Sequence, residues 1–543
     1  MKKFSYILLG LFLSVTLFMS CDDLLDANSK RLTTDSEYGL TSGSDSIYSL
    51  FGVLSQLQKL GDSYVLLGEL RADLMDVTPS SDMYLRQISD NAVTPDNKYV
   101  NIKDYYTVIN NCNYILKHLD TLELDRTQKI KLRHYAAISG IRAWTMMQVA
   151  LNFGKIKYYT DPILTVNDAK KDYPEYTFQQ LTEILIPELE KLKEVELPDP
   201  GFLDSYEVKF SFFPIKFLLG DLYLWRGAEG DYEKAATMYY DLMYKRNIVV
   251  NKANTSAWTT VNNAITSTGV LNWQKAFTFS SKEIITTITC PTDYGQKFLL
   301  DTLNNQHLIT ASSVALSNWD NQTYYQSEAS SATGDLRKYG SISYNSATNK
   351  EITTDFEFSG VKSTDFLIYK YKIYDQNIIV YRSSLLYLRY AEALNRLNKP
   401  KIAFAVLKCG LNSANMLNEN LVPMKEKGNP APKYLNFNDS RFTDNVGIRM
   451  RGLGKMNEDT TFFRIPHLNS MADSVLYVEN KIQEELALET AFEGNRFQDL
   501  MRIAIRRNDP SYLANIVAEK HGANKNAVKA KLMDMTNWYI KTE

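Results

Sequence analysis

A chain of 543 residues with 44% hydrophobic content can bury a sizeable core, as one large domain or two smaller ones. Lys+Arg number 61 and Asp+Glu 63, a formal net charge of −2, so there is no basic surplus to suggest nucleic acid. The four cysteines have neither metal-ligand nor C-x-x-C spacing, and a disulfide framework is not expected.

Met1–Ser20 reads as a secretory signal, with Lys2 and Lys3 ahead of an apolar run from Ile7 to Met19. The run is too short for a comfortable membrane span. Ser20-Cys21 follows it and resembles a lipobox, although Phe18 stands where Leu is usual. Cys21 is therefore expected to become the acylated first residue, with residues 21–43 a polar tether. No later segment has 18 uninterrupted apolar residues.

Periodicity predicts a first helix over Ser44–Leu60, then an irregular loop through Gly68–Asp73 to Pro95. Tyr99–Leu119 is helical, with Tyr105, Val108, Ile109 and Cys112 on one face. Lys129–Phe153 is a long helix that stops at Gly154. Thr177–Val195, Lys216–Trp225 and Tyr232–Tyr244 follow. Helix pairs of this length suggest a tetratricopeptide-like repeat. Leu219, Leu222, Ala235, Tyr239 and Leu242 fit its spacing partly; Tyr387, Tyr390, Ala391, Leu394, Ala403 and Leu407 fit it better. Between about 250 and 374 the periodicity fades into Asn, Ser, Thr and Tyr, with strand-like runs at Glu283–Thr289 and Phe366–Tyr371. A second irregular stretch is Leu421–Pro466. Ile482–Arg507 reads as one helical segment with an apolar stripe at Phe497, Leu500, Met501 and Ala504. Glu493, Arg496, Asp499 and Arg502 step by three and can pair locally. Gly494 marks close packing or a break.

No catalytic motif emerges. The five histidines are scattered, and Leu453 stands where a P-loop needs Lys after Gly447 and Gly452. Trp319–Gln326 instead offers flat aromatic faces for sugar C–H groups, with amides and a carboxylate for hydroxyls.

Three stretches together resemble a known family. Glu489–Arg502 (E-T-A-F-E-G-N-R-F-Q-D-L-M-R) resembles the C-terminal signature of the SusD/RagB family of Bacteroidetes outer-membrane nutrient-binding lipoproteins. Ala136–Gly154 followed by Asp161-Pro162-Ile163, and Tyr381–Leu411, resemble its two other landmarks. The acidic residues after Cys21 resemble the surface-export signal of such lipoproteins. The resemblance implies a mainly α, SusD-like fold: one domain over 44–543, a helical tetratricopeptide-like scaffold with long loops and a few short strands, and a ligand-binding region near 250–374. It implies a surface-exposed lipoprotein of the outer membrane that captures oligosaccharides and delivers them to a SusC-like TonB-dependent transporter. A peptide ligand, as for RagB-like members, is the alternative; an outer-membrane enzyme ranks third. No cofactor, metal or nucleic acid is expected. Family ligand contacts come from the central loops, here Trp319, Asn321, Tyr324 and Tyr325, and from the loop after the first helix, here Tyr64, Tyr84 and Arg86.

Overall fold

The structure is a computed structural model. It describes residues 43–542 apart from 123–128, 204–205, 252–259, 262–263, 266–272, 279–280, 291–297, 328–329, 343, 346–349, 352–353, 359–360, 366, 374–376 and 454–462. The signal, Cys21 and the tether lie outside the described residues.

Capping residues fix where several helices begin. Asp82, Thr177, Ser312 and Ser470 each sit one residue ahead of a helix and accept a hydrogen bond from an amide of its first turn. The principal helices are α1 (Gly43–Leu57), α2 (Met83–Ser89), α3 (Ile102–His118), α4 (Ile130–Phe153), α5 (Phe178–Glu190), α6 (Ile215–Arg226), α7 (Asp231–Arg246), α8 (Ser313–Asp320), α9 (Ser383–Arg396), α10 (Pro400–Lys408), α11 (Met471–Glu489), α12 (Arg496–Arg507), α13 (Pro510–Ala518) and α14 (Lys525–Leu532). Strands are short and pair antiparallel in twos. Among them are β1 (Met75–Val77) with β5 (Ile309–Ala311), β2 (Lys155–Lys157) with β3 (Glu175–Thr177), β4 (Ile284–Thr289) with β8 (Asn377–Arg382), and β6 (Thr323–Ser327) with β7 (Ser330–Thr333). The mainly α scaffold with few short strands is as the sequence predicts.

The helical-repeat residues sit where two antiparallel helices need them. Leu219 and Leu222 of α6 and Ala235, Tyr239 and Leu242 of α7 are buried against one another, as are Ala391 and Leu394 of α9 and Ala403 and Leu407 of α10. The main apolar cluster runs in sequence from Leu50 to Ile540. A smaller one joins Phe497, Leu500 and Met501 of α12 to Leu513, Val517, Leu532 and Trp538.

Three expectations change. Residues 61–70 are not loop: Gly61–Val65 continues as α-helix and Leu66–Leu70 as a π-helical turn, every residue of which is buried. Gly68-Glu69 reads as polar loop in sequence, but Glu69 is turned inward onto backbone amides. Phe366–Tyr371 is not a strand: Ile368 makes an isolated bridge to Ile342, and Tyr369–Ile373 is helical, with Phe366 outside the described residues. Ile482–Arg507 is two helices. The chain breaks between Glu489 and Arg496, where Phe492 and Gly494 have φ of 70° and 90°.

Candidate functional site

The two loop regions expected to hold ligand are stitched together from residues far apart in sequence. β1 runs antiparallel to β5, with Met75 opposite Ala311 and Val77 opposite Ile309. Beyond the ladder, Thr78 Oγ1 donates to the His307 carbonyl at 2.5 Å and Ser81 Oγ to that of Leu308 at 2.6 Å. Ser312, the cap of α8, donates from its amide to Leu74 O (2.9 Å) and from its hydroxyl to Asp73 O (2.5 Å). The β1–α2 loop thus sits at the start of α8, and Asn321 at its end. Eight residues of helix separate them, roughly 12 Å by helical rise.

At the first end, Arg86 is exposed but committed to its own loop. Its Nε donates to Ser81 O (3.2 Å), and Nη2 to Thr78 O (2.8 Å) and Pro79 O (2.9 Å). Nη1 is the donor left to offer a ligand. Tyr84 is half-buried, with Lys98 Nζ 5.7 Å from its ring centroid. Lys98 also lies 4.8 Å from the Tyr99 ring and 2.8 Å from Asp82, and the Tyr99 hydroxyl donates to Asp82 at 2.7 Å. Partial burial opposes charge on Asp82, but hydrogen bonds from Lys98, the Leu85 amide and Tyr99 outweigh it and hold the carboxyl below its usual range. Burial first, and Asp82 second, push the Tyr99 phenol up to about 12, so it remains a donor. Asp82, Lys98 and Tyr99 were missed in the sequence, where Tyr99 reads only as the start of a helix. An aromatic-and-charge run around Asn97-Lys98-Tyr99 was the signal available.

At the other end, the aromatic cluster divides. Trp319 is turned into the scaffold. It is 1% exposed, its Nε1 donates to Leu488 O at 3.2 Å, and its ring meets Phe492 edge-on at 6.0 Å. Tyr324 is buried as well, and Tyr64, 3% exposed, donates to Asn495 Oδ1 at 3.1 Å. These three fill the scaffold because large rings are where a helical core gains most from burial. Asn321 is exposed and Tyr325 half-exposed. Gln322 is held from both sides, donating to Glu484 at 3.1 Å and accepting from Arg449 at 2.5 Å. Asn321, Tyr325, Tyr84 and Arg86 are thus the expected residues that remain at the surface.

Beneath this face lies a buried ionic lattice. Arg337 bonds Asp335, Glu485 and Glu489; Arg451 bonds Glu283 and Glu489; Arg382 bonds Glu489 and Glu493. Burial raises the Glu489 carboxyl, yet Arg451, Arg382 and Arg337 around it win and hold it well below the usual range. These carboxylates are saturated by guanidinium groups and closed from solvent. The lattice therefore supports the loops rather than acting as an acid–base pair.

No family profile matches the sequence, and no curated protein matches it. Solved structures do. A SusD superfamily protein from Bacteroides thetaiotaomicron VPI-5482 is 18% identical, covering 92% of this chain and 94% of its own, with a TM-score of 0.54. A SusD-like carbohydrate binding protein from Bacteroides fragilis NCTC 9343 is 16% identical over 87% and 88%, with a TM-score of 0.56. A structure described as a putative sugar binding protein from Bacteroides vulgatus ATCC 8482 is 19% identical over 85% and 86%, with a TM-score of 0.55. The fold of this chain is that of the SusD superfamily.

Proposed function

We propose that this protein is a surface-exposed lipoprotein of the outer membrane, anchored through Cys21, that captures oligosaccharides and passes them to a SusC-like TonB-dependent transporter. The observation that carries the reading is the likeness of fold, over most of the chain, to structures described as carbohydrate- and sugar-binding. The loop face is consistent with it: tyrosines for C–H faces, with an amide, a carboxylate and cations for hydroxyls around the β1–β5 ladder. The Ser20-Cys21 junction supports the anchor.

Calorimetry of the purified protein against a panel of neutral oligosaccharides and a panel of peptides tests the ligand. Binding confined to oligosaccharides is expected; binding confined to peptides replaces the reading with a peptide importer, and turnover of any panel member makes the protein an enzyme. Palmitate labelling in cells tests the anchor. The label should enter the wild type and be lost in Cys21→Ala. Co-purification of a TonB-dependent transporter with the wild type tests the delivery step.

A further inference from the structure

A cleft built mainly from the end of α4, the start of α5, α12 and the C-terminal segment has a volume of about 870 Å³. That is within the roughly 300–1,000 Å³ typical of small-molecule sites. It forms where α4 ends, β2 and β3 pair, α5 begins, and residues 536–542 cross α12. Its floor depends on a glycine. Gly154 stops α4 with φ 84°, and a Cβ there would lie 2.9 Å from Cγ of Tyr539, so only glycine lets that ring rest on the turn. The Ile540 amide donates to Asn152 O at 2.8 Å and fixes the crossing segment.

The walls are half-buried aromatic rings: Phe153, Phe178, Trp225 and Tyr539. Phe178 and Trp225 meet edge-to-face at 5.1 Å, which locks the orientation of both. Thr177, Gln179 and Thr536 add exposed hydroxyl and amide groups. Three lysines line the cleft, Lys155, Lys157 and Lys541, against one carboxylate, Glu175. Lys155 stands a loose 3.7 Å from Glu175. Lys157 and Lys541 make no ion pair among the described residues. A positive cleft on a chain of net charge −2 is a local arrangement, not an overflow of bulk charge.

We propose that this cleft is a second carbohydrate-binding site, selective for oligosaccharides that carry a carboxylate. The rings take the C–H faces of the sugar, the hydroxyls and amide take its hydroxyl groups, and Lys157 and Lys541 take the carboxylate. This does not depend on what the loop face binds.

Calorimetry of the purified protein with trigalacturonate and with a glucuronate-bearing disaccharide tests it, with maltotriose and triglutamate as comparisons. At least one acidic sugar should bind. Removing two exposed charges in Lys157→Gln with Lys541→Gln should weaken that binding about tenfold, a change of about 1.4 kcal/mol, with melting unchanged. Salt near 1 M, where the screening length falls to about 3 Å, should weaken it similarly. Trp225→Ala should lose binding that Trp225→Phe largely keeps, a rescue that separates stacking from mere folding. Failure of both acidic sugars to bind overturns the site. So does acidic-sugar affinity indifferent to the lysine pair, or maltotriose or triglutamate affinity that the lysine pair lowers as much.

Discussion

The amide of Gly494 donates to Glu69 Oε1 at 2.8 Å, across 425 positions of sequence. The same carboxylate accepts from the amides of Phe492 (3.0 Å), Asn495 (3.2 Å) and Arg496 (3.4 Å). It satisfies the amides at the start of α12 that have no helical partner, and so acts as a cap supplied from the other end of the chain. The approach is backbone against backbone: a Cβ on Gly68 would lie 1.8 Å from the Gly494 carbonyl oxygen. Arg496 then reaches Asp73 at 2.7 Å and closes the joint.

Gly68→Ala should therefore be among the most damaging single-methyl changes in the protein. Overpacking typically costs about 1–3 kcal/mol, and here the obstruction is main chain, which cannot swing aside. Gly52→Ala is the control. Gly52 is helical, has nothing within 4 Å of an added Cβ, and should gain up to roughly 1 kcal/mol from helix propensity. Denaturant unfolding of the two variants should move in opposite directions.

Glu69 also gives stability a pH dependence of definite sign. Burial raises its carboxyl to about 7, while the amides of Phe492, Gly494 and Arg496 and the charge of Arg496 pull it back. The folded state then holds a proton that the unfolded chain releases near its ordinary value of 4.5. Its contribution is fully present below that value and is lost as pH rises from there toward 7, at no more than about 1.4 kcal/mol per pH unit. Glu69→Gln sacrifices acceptor capacity at every pH but cannot titrate. The stability of wild type minus that of Glu69→Gln should fall between pH 4.5 and 7; a difference flat with pH would rule out titration of Glu69 in this window.

Glu493 and Arg496 are spaced for a local pair but bond elsewhere. Glu493 meets Lys370 and Arg382 at 2.6 Å, and Arg496 meets Asp73. They are 4% and 7% exposed. An exposed helical pair contributes about 0.2–0.5 kcal/mol, whereas breaking a buried one costs about 3–5 kcal/mol because a charge is stranded. Glu493→Ala should fall in the second range. A double-mutant cycle between Glu493 and Arg382 should show coupling of about 1–3 kcal/mol, and one between Glu493 and Arg496 distinctly less. Equal coupling in the two cycles would restore the local ladder.

The sequence was legible where physics is local. The stripe of α12, the stop at Gly154 and the repeat residues of α6, α7, α9 and α10 follow from period and caps. Asp499 and Arg502 do pair within α12, at 2.8 Å. What stayed hidden is set by tertiary partners. Nothing near Glu69 says that its acceptors will meet amides more than 400 positions away, so 61–70 reads as loop. Trp319 carries the composition of a sugar platform, but an exposed and a buried indole are spelled alike. Its burial is decided by Leu488 and Phe492, outside the window being read. The surface patch of Asp82, Lys98 and Tyr99 needs a fold to bring 82 beside 98.

The same division separates binding from folding at the loop face. Trp319→Ala should destabilise by about 3–5 kcal/mol, the usual loss for truncating a buried aromatic. Any fall in ligand affinity in that variant would follow its unfolding. Tyr325→Ala and Tyr84→Ala remove half-buried rings beside a proposed oligosaccharide. Aromatic contacts of this kind contribute about 0.5–1.5 kcal/mol beyond burial, and each 1.4 kcal/mol is tenfold in affinity. Each change should weaken oligosaccharide binding several-fold, with melting lowered far less than in Trp319→Ala. Asn321→Ala, which removes an exposed amide, should cost affinity without altering melting. Calorimetry paired with thermal unfolding on the four variants reads both quantities at once. If affinity is unchanged in Tyr325→Ala, Tyr84→Ala and Asn321→Ala, the ligand lies elsewhere on the protein. If Trp319→Ala instead loses affinity at an unchanged melting temperature, the indole faces the ligand after all.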